Sequence, residues 1–232
     1  MRRLAGFASL AVGAVALALA LAPAAARAQA TCAPLVQGSA SWSGIVNTYY
    51  PGTSATAPAG ASSIGVGAAD PRGAGTPIAA GDLLLIVQLQ DASISSSNSS
   101  AYGGSGSGQG YTTLNSSGYF EYAVAAGPAA GSVPLATPLL HTYHSGSANG
   151  SDGQKRYEVI RVPQASSATI TGTLTAPAWD GNTGGIVAID VAGALNWNGQ
   201  TIDVQGRGFR GGGGQSSTSD GTGAPRAKLP VG

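Results

Sequence analysis

The chain has 232 residues, of which 37 are glycine, 13 are proline and one is cysteine, and charged residues make up 9%. So low a charge content argues against a helix-rich, charge-coated cytosolic enzyme. The formal net charge is +1, but Arg2, Arg3 and Arg27 belong to a leader described next; eleven basic residues less those three leave eight against ten acidic ones, a net of −2. A weakly acidic body has no electrostatic hold on nucleic acid or on anionic lipid.

Residues 1–30 have the three-part build of a secretory signal peptide: Arg2 and Arg3, an apolar run from Leu4 to Leu21, then small residues broken by Pro23. Ala26-Arg27-Ala28 fits the small-x-small cleavage rule, with Ala28-Gln29-Ala30 as the alternative, so cleavage is expected after Ala28 or Ala30. No later stretch has the 18 or so apolar residues that a spanning helix needs. The mature chain is therefore expected to be secreted or on the cell surface, without a membrane span. Cys32 is alone and excludes an intrachain disulfide. Residues 31–44 read as a flexible linker.

From there the pattern is short apolar or alternating runs between glycine, proline, serine, asparagine and aspartate, the signature of an all-β chain. The expected strands are Ile45 to Tyr50, Ser62 to Gly67, Leu83 to Gln90, Tyr119 to Ala125, Val133 to Tyr143, Lys155 to Val162 and Ala168 to Ala176. The run LLLIVQLQ at Leu83 starts continuous and then alternates, as a strand covered on both faces does. At Lys155 to Val162, alternation puts Tyr157, Val159 and Arg161 on one face, and Arg156, Glu158, Ile160 and Val162 on the other. The span 45–178 thus reads as a β-sandwich-like module. Its 91–115 stretch, rich in serine and glycine, reads as a mobile loop with too little apolar area to offset ordering.

The character changes over 179–210. Ile186 to Val191, Ala194 to Trp197 and Thr201 to Val204 are short strand-like pieces between turns at Ala192-Gly193 and Asn198-Gly199. Their spacing suits the first rungs of a parallel β-helix. A hairpin through Asn198-Gly199 is the alternative. A solenoid needs about three repeats for stability, so downstream domains of a longer parent chain are expected. Residues 211–232 read as a disordered glycine-rich tail.

Candidate chemistry is sparse. His141 and His144 are spaced H-x-x-H, but in a strand they face opposite ways, and no cysteine or third histidine completes a zinc site. Asp180-Gly181-Asn182-Thr183-Gly184-Gly185 resembles the opening of a calcium loop, although its twelfth position is Val191 rather than a glutamate. Asp180, Asn182 and Asp190 are the calcium candidates. Gly206-Arg207-Gly208-Phe209-Arg210-Gly211 matches G-x-G-x-x-G, but further glycines follow where a nucleotide-binding fold needs a helix. No nucleophile motif is present. The acids Asp82, Asp91, Glu121, Glu158, Asp180, Asp190 and Asp203 nominate no pair by spacing. Sequons at Asn98, Asn115 and Asn149 lie in expected loops. No catalytic or cofactor-binding residue is assigned, and the chain is not expected to be an enzyme.

The segments IVNTYYPGT at Ile45, PIAAGDLLLIVQLQDA at Pro77, GYFEYAVAAG at Gly118, YEVIRVPQ at Tyr157 and WDGNTGGIVAIDVAGALNWNGQTIDVQGRGFRGGGG at Trp179 resemble the amino-terminal module of large glycine-rich exported surface proteins of Gram-negative bacteria. That resemblance implies a β-rich head leading into a glycine-rich or β-helical region, and it transfers no catalytic residue. The expected function is an exported structural or adhesive component of the cell surface or matrix, with carbohydrate or matrix as partner. An extracellular polysaccharide-acting enzyme of β-helix type and a calcium-stabilised binding module are the alternatives.

Overall fold

The computed structural model describes residues 38–94, 111–149 and 152–209. The expected leader and its cleavage points, Cys32, Asn98, most of the 91–115 loop and the 211–232 tail lie outside the described residues. Within them the chain is all β, with no helix and no closed barrel. In chain order the strands are β1 (Ser39–Ile45), β2 (Thr48–Pro51), β3 (Ser63–Gly65), β4 (Leu83–Gln90), β5 (Ser93–Ile94), β6 (Tyr111–Thr113), β7 (Phe120–Val124), β8 (Ser132–Pro134), β9 (Arg156–Val162), β10 (Gln164–Ala165), β11 (Ser167–Thr175), β12 (Asp190–Val191) and β13 (Leu195–Asn196).

The centre is an antiparallel sheet in the order β2-β9-β4-β7. Leu83, Leu84, Leu85 and Ile86 of β4 are all buried, because both faces of this sheet are covered. Leu84, Ile86, Tyr157 and Val159 point into a core closed by Ile64 of β3 and Val133 of β8. Leu83, Leu85, Ile160 and Val162 point the other way, onto Tyr49, Ala176 and the stretch Ile186, Val187 and Ala188. The parity read for Lys155 to Val162 is the one observed. It carries Glu158 into the second interior at 0% exposure.

A second β system is parallel. β11 lies between β1 and β13, and β10 pairs with β12. Gln164 faces Asp190, Ala168 faces Leu195 and Leu174 faces Ile202, so the offset holds at 26, 27 and 28 residues through one complete circuit of chain. The ladder continues between the named strands: Ala192 N–H donates to the Ala165 carbonyl at 3.0 Å, Leu174 N–H to Thr201 at 2.9 Å, and Asp203 N–H to Leu174 at 2.9 Å. Such a pairing of consecutive circuits is what parallel strands with long crossovers require.

Three local expectations are corrected. Ser39–Ile45 is a strand paired with β11, so residues 39–44 of the stretch expected as a linker are β structure. Its alternation of serine with small or aromatic residues satisfies a neighbouring strand without looking apolar. Val133 to Tyr143 is not one strand: β8 ends at Pro134, and Leu135 and Tyr143 make only isolated bridges, to Ala125 and Ala57. Pro134 and Pro138 lack the N–H that a continuous ladder needs. Asn198 and Gly199 do form a turn with positive φ, 47° and 72°, closed by Gln200 N–H on the Trp197 carbonyl at 2.8 Å. The flanking residues nevertheless pair in parallel with β11 rather than with each other, and the hairpin is not formed.

Candidate functional site

A group of charges lies where the loop after β3 meets the turn after β11. Asp70 N–H donates to the Tyr49 carbonyl at 2.8 Å, which fixes Asp70-Pro71-Arg72 over the sheet end. The Arg72 fork closes back on Asp70, Nε to Oδ1 at 3.0 Å and Nη2 to Oδ2 at 2.6 Å. It also reaches the second turn, with Nη1 on the Ala178 carbonyl at 2.9 Å and Nη2 on Asp180 Oδ2 at 2.8 Å. Thr183 Oγ1 donates to Asp70 Oδ2 at 2.8 Å. Burial opposes ionisation of Asp70, yet the hydrogen bonds from Arg72 and Thr183 outweigh it and hold its carboxyl down to about 2.

Beneath this cluster is Glu158. Its Oε2 accepts from Gly184 N–H at 3.1 Å, and Oε1 has no partner among the described residues. Burial pushes its carboxyl up to about 8 against that hydrogen bond, and the charges of Asp180 and Asp70 add to the rise. Gly184 has φ 111°, and a Cβ there would stand 2.7 Å from the Pro177 carbonyl, so only glycine brings its N–H to Glu158 in this turn. Tyr49, whose hydroxyl donates to the Ile186 carbonyl at 2.6 Å, has its phenol pushed up by burial and by the charges of Glu158 and Asp70.

Above the cluster is an open cleft of ≈ 690 Å³, lined in part by Thr53, Asp70, Ser145, Arg156, Asp180 and Asn182. Beneath it Arg72 is paired with Asp70 and Asp180, while Arg156 forms no ion pair among the described residues and donates through Nε to Asn182 Oδ1 at 3.0 Å. The surface offers hydroxyls, an amide, the Asp70 and Asp180 carboxylates and the Arg156 guanidinium. It can exchange hydrogen bonds with a polyol.

The calcium candidates have other duties. Asp180 Oδ1 accepts from the N–H groups of Asn182 and Thr183 at 2.9 and 3.0 Å, and Oδ2 accepts from Arg72. Asp190 Oδ2 accepts from Gln164 Nε2 at 2.9 Å, tying β12 to β10. The Arg72 guanidinium supplies the positive charge beside Asp70 and Asp180. Among the described residues no group of three or more His, Cys, Asp or Glu is arranged to hold a metal.

The two histidines go to different places. The His141 ring lies 4.8 Å from that of Tyr119, and the His141 main-chain N–H donates to Glu121 Oε1 at 3.2 Å. His144 Nδ1 lies 2.9 Å from Oδ2 of the buried Asp91, and Gln88 clasps its main chain from both sides at 2.8 Å. Asp91 Oδ2 also accepts from Ser116 N–H at 2.9 Å. This carboxylate therefore joins the two ends of the long loop to the 141–144 stretch. Asp82 is matched bidentately by Arg161 at 2.8 Å on each arm, and Asp203 Oδ1 caps Gln205 N–H at 2.9 Å. Sequence reasoning missed Asp70 and Arg72. Its only available signal was Asp-Pro-x-Gly at Asp70, which marks a turn rather than an ion pair.

No family model, no curated protein and no solved structure matches the chain.

Proposed function

We propose that the protein is an exported structural or adhesive component of a bacterial cell surface or matrix, a sandwich-like head on the first rungs of a parallel β-helix. The observation that carries this reading is the parallel pairing of β10 with β12 and of β11 with β13, whose register advances by 26 to 28 residues through one circuit, while β1 joins the other side of β11 from 128 to 130 residues away. Such a stack is a scaffold that lengthens by repetition. The second support is chemical: a chain with only 9% charged residues and a polar cleft suits hydrogen bonding to carbohydrate, and does not suit steering of charged substrates. Export rests on the leader read from residues 1–30.

Expression with its own leader in a Gram-negative host tests this. The expected product begins at Gln29 or Thr31 by mass spectrometry and is recovered from the medium or the cell surface. The purified product is then applied to a glycan array and to a panel of polysaccharides. Retention in the cytoplasm with the leader intact overturns export, and release of sugars from any polymer replaces the reading with a hydrolytic one.

A further inference from the structure

Beside β1 lies a second concave surface, a groove of ≈ 420 Å³ lined in part by Ala40, Trp42, Thr76, Arg161, Pro163 and Gln164. That volume falls in the range of about 300–1,000 Å³ that small-molecule sites occupy. Alternation along β1 sets Ala40 and Trp42 on the same face of the strand, both partly buried. The strand is irregular at the indole: Trp42 faces Ile170 and Gly44 faces Leu174, so a step of two residues in β1 runs against a step of four in β11. Such an irregularity bends a strand and re-aims its side chains, a device that recurs next to binding sites.

The polar wall of the groove is fixed in advance and keeps donors in reserve. Arg161 has 14% of its side chain exposed and commits Nε and Nη2 to Asp82, each at 2.8 Å, which leaves Nη1 without an acceptor among the described residues. The Thr76 hydroxyl and the Trp42 indole N–H likewise have no partner among them. Gln164 is held at both ends of its amide, with Oε1 accepting from Leu83 N–H at 3.3 Å and Nε2 donating to Asp190 Oδ2 at 2.9 Å. Walls held in this way lose little freedom when a ligand arrives. The charge of Arg161 is cancelled by Asp82, and Asp190 stands behind Gln164, so the groove has no positive surplus to draw an anion.

We infer that this groove is a saccharide site that takes one neutral pyranose unit of a polymer, with the sugar's C–H face on Trp42 and its hydroxyls on Arg161 Nη1 and Thr76 Oγ1. A pyranose is amphipathic in the matching sense. Its C–H bonds are weakly positive and meet the negative face of an aromatic ring, while its rim of hydroxyls both donates and accepts. A purely aliphatic ligand would leave the Arg161 and Thr76 donors unmet. A carboxylated sugar would set its charge near Asp82 and Asp190, with the one guanidinium already matched. The site is separate from the cleft over Asp180. The inference deepens the carbohydrate-binding part of the function proposed above, and it rests on that reading for its biological meaning.

The test is titration of the purified mature chain with a soluble neutral β-glucan, a neutral α-mannan and polygalacturonate, following the indole N–H signals of the three tryptophans by NMR. Trp42→Phe assigns the Trp42 signal by its loss and, by keeping a ring, is expected to retain most of the affinity. At least one neutral polymer is expected to shift the Trp42 signal while those of Trp179 and Trp197 stay in place, and polygalacturonate to leave all three unmoved. Trp42→Ala should weaken binding by about tenfold or more, and Thr76→Val by about threefold. Ala40→Phe leaves Trp42 in place and fills the groove, so it gives the same loss if Trp42→Ala fails to fold. A Trp42 signal that no neutral polymer moves, or tighter binding of polygalacturonate than of the neutral polymers, overturns the inference. Binding that survives Trp42→Ala and Ala40→Phe but is lost in Asn182→Ala sends the sugar to the other cleft, so this inference fails while the proposed function stands. Export is read separately by fractionation, and its failure leaves the Trp42 result untouched.

Discussion

The antiparallel sheet and the parallel stack hold themselves together differently. The sheet is buried on both faces, and the described ion pairs lie in it or in the loops around it: Arg161 with Asp82, Arg72 with Asp70 and Asp180, His144 with Asp91, and Lys155 with Asp152. Among the described residues the stack has no ion pair, and its last circuit keeps Trp197, Ile202 and Val204 in water. A doubly covered sheet is complete in itself, whereas a stack is complete only when something caps it.

The contrast breaks most visibly if truncation costs the same in both regions. Ile86→Ala in β4, at 0% exposure, is expected to destabilise the fold by about 2–5 kcal/mol in denaturant titration. Glu158→Gln sharpens it through pH. In the wild type both states are protonated below 4.5; as pH rises from 4.5 to about 8 the unfolded carboxyl ionises while the folded one does not, so stability falls across that window, on the order of 5 kcal/mol. The Gln variant is expected to lose this slope when melting temperature is followed against pH.

Arg72→Ala leaves Asp70 buried without its main partner, and a loss of about 1–2 kcal/mol is expected after allowing for the solvent around the guanidinium. The sign with pH is opposite to that of Glu158. The Asp70 contribution is present in full above 3.8 and is lost as pH falls toward 2, so the variant and the wild type should converge in acid. Ile202→Ala in the last circuit is expected to shift stability by less than about 0.5 kcal/mol. Calcium added to the purified chain should leave the melting temperature unchanged in calorimetry, because Asp180 is already matched by Arg72 and Asp190 by Gln164.

Much of the sheet was legible in the sequence. Leu83 to Gln90 carries its double burial in its own composition, and the parity of Tyr157 to Val162 follows from alternation alone. The stack was legible as pieces and turns but not as pairings. Asn198-Gly199 adopts positive φ whether it closes a hairpin or turns the corner of a coil, so the partner is chosen by β11, far away in the chain. Ser39–Ile45 was hidden for the same reason, since its serines show no apolar signal until β11 lies beside them. The Arg72 cluster was illegible because its members come from segments more than 100 residues apart, Arg72 meeting Asp180 across |i−j| = 108. Of the site, Asp180 and Asn182 stood out in the sequence as the opening of a calcium loop, and Glu158 as a carboxylate sharing a strand face with Ile160 and Val162.

Arg72 has a mechanical meaning as well. A pull on the polypeptide beyond Phe209 is borne first by the outermost circuit, whose bonds to β11 open one after another like a zipper. It then reaches the Ala178 to Thr183 turn, which the antiparallel region holds through the Arg72 guanidinium, through Thr183 Oγ1 on Asp70 and through Arg156 on Asn182. Tension therefore meets the bonds of the outer circuit one at a time and those of this turn together, with Arg72 at their centre.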